Sequence, residues 1–572
     1  MEKRLALAFL LTGIIIVFWQ TFLAPVPPQP QRPAAVQNVA PAAAPAAAAP
    51  AAAATTPALP AAQTVTVRGP LYEYRFSTRG AALTWAELLR YPSYVQNGGR
   101  VQLVPRGAAD VLSGSATSAA GTLDLRGMSF TPSATRLELR PGGPPQTLTF
   151  TSTQNGVAVA QVTYTFRADD YAVDVRGALP GLRGAGTLYT SLGTGLAPHD
   201  APEHGTASEL AFVGWNGRRV ERSYLKDVEA GDTIAGPLSW AGIKDRYFLM
   251  ALVPRTTGFT RLVTADRPDE RYTGGGETQT SPRAAGTVAM PVGPDGTFAY
   301  QAYLGPLEHD RLVKVGHQLE EVNPYGYRWL RPVIRPIAAA VLWALRELHD
   351  GLGLAYGWVL VVFGVMVRLV TWPLNARAMR SQMKNMAVQP LLQERMKEIQ
   401  KKHADDPRKQ QQEMMKMYQE LGVNPFSMMS GCLPMLIPMP VLITLFFVFQ
   451  GAIEFRGATF AWMPDLSLRD PLYLLPVLLV VSMFALQWIS TKMSGMADNP
   501  QAKMMMYTMP LMMGIFFWLM PSGLNLYYVS SNVASLPQQL LIARERRIAT
   551  EQAKAENAQK NKRSGPVKEK RR

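Results

Sequence analysis

The sequence predicts an α-helical polytopic membrane protein, with six transmembrane helices of which five form the core, carrying an antiparallel β-sandwich domain outside the cytoplasm. Three observations carry that prediction. The mean hydropathy of −0.01 averages two unlike halves: residues 65–320 are polar with short alternating patterns, whereas 350–545 are dominated by apolar runs. Six of the apolar runs in the chain are long enough to cross the roughly 30 Å hydrocarbon layer. The basic residues behind the net charge of +16 gather in segments that fall on one side of the membrane when those six runs are threaded through it.

Residues 5–24 follow Lys3 and Arg4 and form an apolar run of spanning length, read as an anchor with a cytoplasmic start. Residues 25–64 are almost entirely Ala, Pro and Gln, a composition with nothing to bury that behaves as an extended linker. Residues 65–320 read as strands. Tyr72, Tyr74 and Phe76 alternate with polar residues, Val157, Val159 and Val162 precede Tyr164 and Phe166, and Tyr171, Val173 and Val175 alternate again, with Gly/Pro punctuation between such runs. Residues 324–349 form an interfacial amphipathic helix, with packing on the β domain as the alternative. Residues 352–374 span the membrane and hold Arg368. Residues 377–421 form a cytoplasmic helical hairpin broken at Ala404–Pro407. Its methionine stripes suit packing of one arm on the other or, alternatively, contact with apolar partners. Residues 426–543 contain four further spans, at 426–452, 472–490, 504–520 and 524–543, and 544–572 form a basic cytoplasmic tail with eleven Lys/Arg against four acids. Both termini then lie in the cytoplasm. The single cysteine, Cys432, leaves no disulfide within the chain.

Arg368 is the one charge in its span. A guanidinium stays protonated, and at membrane depth it is costly enough to seek a wet cavity or a partner. It lies about two turns from the end of the 352–374 run, so snorkelling to the headgroups is one arrangement. A fixed cation in a hydrated intramembrane pocket is the other. No span contains His, Asp or Glu, which argues against a proton relay, a carboxylate-lined ion path and an intramembrane protease. What the spans do contain is neutral hydrogen-bonding groups: Asn525, Tyr527, Tyr528 and Asn532 in the last, and Gln487 in the fourth. Pro434, Pro438 and Pro440 bend the 426–452 span and free its carbonyls. The run from His199 to His204 holds two His and two acids around Pro202; a metal site is one reading and a polar loop the favoured one. There is no glycine-rich phosphate loop, no cofactor is expected, and the chain does not read as an enzyme.

The stretches VRLVTWPLNARAMRSQMKNMAVQPLLQE, QEMMKMYQELGVNPFSMMSGCLPMLIPMPV, FAWMPDLSLRDPLYLLP and PSGLNLYYVSSN followed by PQQLLI lie in order across 350–545. They resemble the bacterial Oxa-type membrane protein insertases, and the β segment matches by position and size the periplasmic domain of the diderm type. The resemblance implies an inner-membrane protein that inserts and folds nascent membrane proteins, alone or with a Sec translocon, through a hydrophilic groove open to cytoplasm and lipid. It places Arg368, Tyr527 and Tyr528 in the groove, with Asn525, Asn532 and Gln487 as further polar groups, and makes Pro434, Met435, Pro438 and Pro440 part of the substrate rim. A groove hydroxyl that the family often carries four positions before the arginine is Gly364 here, and Asn525 is the candidate to replace it. Arg544, Arg546, Arg547, Lys562 and Arg563 are expected to touch the ribosome or another anionic partner, and the protein to act as a monomer in the lipid bilayer. The rival reading is a polytopic solute transporter with an extracytoplasmic β domain, which predicts inverted repeats and midplane acids that the sequence lacks.

Overall fold

The computed structural model describes residues 62–95, 99–108, 110–119, 121–182, 184–200, 206–229, 231–274, 277–323, 331–402, 406–420, 439–493 and 500–563. The expected anchor at 5–24, nearly all of the Ala/Pro linker, and Pro434, Met435 and Pro438 lie outside the described residues.

The β domain is built from three sheets. A nine-stranded sheet runs from Val220–Tyr224 through Ala211–Trp215, Trp240–Lys244, Phe248–Pro254, Thr297–Pro306, Ala172–Ala178, Val157–Phe166 and Gln146–Gln154 to Thr131–Pro132. A five-stranded sheet includes Tyr72–Ser77, and a six-stranded sheet includes the long hairpin Phe259–Gly274/Glu277–Val292. Pairing is antiparallel except where Thr64–Arg68 meets Arg136–Glu138. The alternation of Tyr72, Tyr74 and Phe76 points all three inward, at 2% exposure or less. There Phe76 meets Phe150, Tyr164 and Phe166 across the two sheets, at centroid distances of 4.7–6.0 Å. One part of the pattern fails: Val157 is 67% exposed. It lies five positions before the buried Val162, so plain alternation sets it on the face opposite Val162, Tyr164 and Phe166, and the register shift between Ala158 and Ala160 does not bring it inward.

The helices of the second region are α1 (His309–Val315), α2 (Arg331–Arg346), α3 (Tyr356–Lys402), α4 (Pro407–Glu420), α5 (Met439–Gly451), α6 (Leu474–Met493), α7 (Pro500–Trp518) and α8 (Ser522–Arg563). Among the described residues two segments, Tyr356–Arg377 and Leu474–Lys492, are long and apolar enough to cross a membrane, with Met506–Trp518 a shorter apolar helix. α8 is longer than any span requires, but its Asn, Tyr, Ser and Gln residues lower its hydropathy. Two boundaries differ from those read in the sequence. The Arg368 span and the first hairpin arm are one unbroken 47-residue helix. α8 continues into the basic tail as far as Arg563. Residues 544–563 contain neither Gly nor Pro and are rich in Ala, Gln, Glu, Lys and Arg, all strong helix formers, with Gly565–Pro566 just beyond. The break at Pro407 falls where the sequence places it.

α2 buries Ala338, Val341, Leu342 and Leu345 against the helical region, while Trp343 is 68% exposed. Its apolar face packs on α5, so of the two arrangements open in the sequence the β domain is not its main partner. The apolar core of the helices is one-sided. Val359, Leu360 and Phe363 of α3, Val448 and Phe449 of α5, Leu475 and Leu479 of α6, Phe517 of α7 and Leu524 of α8 are all at 3% exposure or less. These residues sit toward the ends of the helices that face the β domain.

Between those ends and the β domain lies a buried polar junction. Arg456, in the loop between α5 and α6, reaches into the β domain and donates from Nε to Asp200 Oδ1 at 2.7 Å, with a second bond from Nη2 to the same oxygen. Its guanidinium carbon lies 4.6 Å from the Tyr94 ring centroid and 5.4 Å from that of Phe248. Gly457 makes the approach possible: its φ is +71°, and a Cβ there would lie 1.7 Å from the Tyr94 hydroxyl oxygen. His199 stands beside this pair, with Nδ1 2.8 Å from the Ala197 carbonyl oxygen and Nε2 2.9 Å from Asp245 Oδ2. A charged imidazole there would face acceptors at both nitrogens. Burial opposes that charge, but Asp245 and Asp200 outweigh it and hold the His199 pKa above its ordinary value. With His199 protonated, two cations and two carboxylates stand together inside the junction. Tyr247 Oη to Ser467 Oγ at 3.2 Å, and Arg346 to Glu454 at 2.8 Å, extend it to the loop and to α2.

Candidate functional site

The site begins one and a half turns beyond the apolar core of α3. Phe363 is the last fully buried apolar residue there, and Arg368 follows five positions on. The unbroken helix puts Arg368 well inside the segment Tyr356–Arg377. The guanidinium Nε is buried without a hydrogen-bond partner, and no carboxylate among the described residues pairs with it. Tyr527 and Tyr528 on α8 lie within electrostatic reach. Tyr527 is 5% exposed and stacks obliquely on Phe363 at 5.9 Å; Tyr528 meets Phe517 at 5.0 Å. The tyrosines therefore rest their rings on the apolar core and mark its inner margin.

Close approach of α3 to α8 sets this geometry. A Cβ on Gly364 would lie 3.0 Å from the Tyr527 carbonyl oxygen, 3.2 Å from Ser530 Cβ and 3.3 Å from the Ser531 nitrogen. The position that carries a groove hydroxyl in the family is here a helix-to-helix contact, with a small residue admitting the partner backbone. The hydroxyl nearest in sequence to Arg368 on α3 is Thr371, whose Oγ1 bonds back to the Val367 carbonyl at 2.8 Å.

Beyond Arg368 the helix interfaces change character. Asn532 Nδ2 of α8 donates to Ser482 Oγ of α6 at 3.0 Å. Gln538 Nε2, on a residue with no exposed surface, donates to the Trp372 carbonyl of α3 at 3.0 Å, and its Oε1 is buried without a partner. Asn375, 8% exposed, donates to Thr371. Gln487 is half-buried on α6. Asn525 has a different task from the one expected of it. It lies at the opposite end of α8 and spends its amide on the carbonyls of Phe517 at 3.1 Å and Pro521 at 3.4 Å. It therefore caps the α7–α8 hairpin at the β-domain side.

Of the other expected site residues, Pro440 lies in the first turn of α5, Arg544 is exposed on α8, and Arg546, Arg547, Lys562 and Arg563 continue along that helix. His199 and Asp200 are consumed by the junction; His204 and Glu203 lie outside the described residues. The sequence reading missed Arg456 as the partner of Asp200. The signal available was a basic residue directly before a glycine in an outer loop with only one other basic residue, Arg469.

Residues 347–550 match the family described as 60Kd inner membrane protein, and residues 64–340 match the YidC periplasmic domain family. Among curated relatives, the membrane protein insertase YidC of Chlorobaculum parvum is 30% identical over 580 residues, covering 95% of this chain and 94% of its own length. That of Nitratidesulfovibrio vulgaris is 32% identical over 572 residues, with 95% and 99% covered. Among solved structures, YidC from Thermotoga maritima aligns over 84% of this chain and 99% of its own, at 14% identity and a TM-score of 0.29.

Proposed function

The chain belongs to the YidC family of membrane protein insertases, and from that membership we propose that it inserts its substrates through the polar interface of α3, α6 and α8, with Arg368 as the fixed charge. Insertase activity, a place in the inner membrane, a periplasmic β domain and nascent membrane proteins as substrates follow from the family. The mechanism and the finer topology, six spans with both termini in the cytoplasm, are the proposal.

One observation carries it. The helical region is closed by an apolar plug on the β-domain side and lined by neutral hydrogen-bonding groups on the other, with an uncompensated cation at the boundary. A polar segment crossing a dry bilayer leaves its groups unpaired, at a cost of several kcal/mol each. A half-channel that stops at the plug shortens the dry path and offers partners along the way. Arg368 attracts acidic groups of the entering segment and resists basic ones. The apolar part of the substrate leaves sideways into lipid, driven by about 25 cal/mol per Å² of apolar surface transferred. The ribosome, engaged through the basic end of α8, and a Sec translocon are partners within this proposal.

The test is reconstitution in liposomes with two small substrates that differ only in whether the translocated segment is acidic or neutral. Arg368→Leu is expected to slow the acidic substrate by roughly tenfold or more, the scale of a single lost charge-assisted contact, and the neutral one far less. Arg368→Lys retains part of the activity, because charge rather than a bidentate fork is needed. Equal insertion of both substrates by the Leu variant would refute the role of Arg368.

A further inference from the structure

A second concavity, of about 440 Å³, lies where the β domain faces the outer ends of the helices. Its β-domain wall carries Arg222, Lys244 and Arg246, and Arg469 of the α6-preceding loop faces them. Two acids, Glu209 and Glu320, complete the charged lining, which leaves it cationic. Its floor is apolar and belongs to the helices: Phe447 of α5, and Leu519 and Met520 after α7. Lys244 is 3% exposed and donates to the neutral Asn323 Oδ1 at 2.7 Å; among the described residues no carboxylate lies within ion-pairing distance of it. Burial, with Arg222 beside it, lowers its pKa to about 8.

Leu519 also ends a different hollow. The groove between α6 and α7, lined by Val477, Val480, Val481, Leu511, Ile515 and Leu519, measures about 550 Å³ and has almost no polar surface. Leu519 thus lines both the cationic chamber and an apolar groove that runs along α6 and α7. That sequence of surfaces, charge, then interface, then hydrocarbon, has the shape and polarity of one phospholipid.

We propose that this composite site binds an anionic phospholipid of the outer leaflet, its phosphate in the chamber of Lys244, Arg222 and Arg469 and an acyl chain in the α6–α7 groove. The cationic excess favours a headgroup with net negative charge over a zwitterionic one, whose own ammonium would be repelled. The charge-assisted bonds that a phosphate accepts from Lys and Arg are the strong class. A lipid in this place would bridge the β domain and the helices beside the Arg456 junction.

The experiment uses the full chain in phosphatidylethanolamine nanodiscs with or without one-fifth phosphatidylglycerol. Acetylation of Lys244 near its pKa is followed by mass spectrometry against exposed Lys409 as the internal reference. Phosphatidylglycerol is expected to protect Lys244 by roughly tenfold, and millimolar inorganic phosphate added to lipid-free micelles to protect it little. Native mass spectrometry gives a second readout that does not depend on lysine reactivity. The wild type should retain phosphatidylglycerol, and both Arg469→Gln and the groove-filling Val480→Trp should lose it while remaining folded. Absence of protection, equal protection by free phosphate, or unchanged lipid retention in both variants would overturn the proposal.

Discussion

Arg456 and Arg368 are the same side chain in two kinds of burial, and the contrast separates the two regions of this molecule. Arg456 is held by Asp200, flanked by the rings of Tyr94 and Phe248, and balanced by the His199–Asp245 pair. Arg368 has tyrosines for neighbours and a buried Nε with no partner. A buried charge held by a carboxylate is costly to uncouple, because removing either partner strands the other. A charge left wanting remains available to something that arrives later. The Arg456–Asp200 pair thus ties the two regions together, and Arg368 is left without a carboxylate among the described residues.

Breaking the junction should have the largest effect on stability. Arg456→Ala leaves Asp200 buried without its cation, a change that costs about 3–5 kcal/mol in comparable settings. Thermal unfolding of the detergent-solubilised protein should show it, and Arg456→Met with Asp200→Leu should recover much of the loss. Unfolding indistinguishable from wild type for Arg456→Ala would mean that the junction does not hold the two regions together.

A smaller loss is expected where α3 meets α8. Gly364→Leu forces side-chain atoms against the Tyr527 carbonyl and Ser530, and overpacking of this kind costs about 1–3 kcal/mol. Because the same contact sets Arg368 against the tyrosines, insertion of acidic substrates should fall with it. A variant that loses stability while keeping full activity would uncouple the packing from the site.

Arg368→Met sharpens the comparison from the other side. Removing a cation whose desolvation is not repaid should leave the unfolding midpoint unchanged or raise it, by about 1 kcal/mol, even as insertion declines. A loss as large as that of Arg456→Ala would show that Arg368 is paired after all.

The smallest effect is that of pH, and it belongs to the junction alone. His199 has a raised pKa, so its contribution is complete below its unfolded value of about 6.5 and fades as pH climbs through the folded value. Burial works to raise the pKa of Asp245, but His199 and the amides of Phe248 and Tyr247 hold it low. Its contribution is complete above its unfolded value of 3.8 and is lost as pH falls through the folded one. The junction should thus be firmest between about pH 4 and 6.5 and loosen gently in alkali. His199→Gln should flatten the alkaline side of that profile, and a profile unchanged by this substitution would remove the imidazolium from the account.

Periodicity made much of this legible. The inward alternation of Tyr72, Tyr74 and Phe76, the break at Pro407 and the lone cation at Arg368 are all local signals, and each survives into three dimensions. What escaped the sequence was the outcome of contacts between distant segments. Val157 continues an apolar run but stands an odd number of positions from the buried Val162, and so falls on the outer face of its strand. Asn525 has the chemistry of a groove residue and the position of a hairpin cap. His199 and Asp200 read as part of a polar loop, and nothing local announces Arg456, more than 250 residues away in the chain, as their partner. The Ala/Pro linker suggests a freely tethered β domain, whereas the far end of that domain is docked through buried charges.

The unbroken run of α3 gives the molecule a mechanical property. From Arg368 to Lys402 the helix advances 34 residues, about 51 Å at 1.5 Å per residue. As a single rod it acts as a lever whose fulcrum is the Gly364 contact. A swing of about 10° at that fulcrum, about 57 Å from Lys402, carries the far end of the helix through about 10 Å, as follows from the same rise per residue. A partner that took hold of the far arm of α3 would thereby gain leverage on the angle at which the guanidinium stands in the α3–α8 interface.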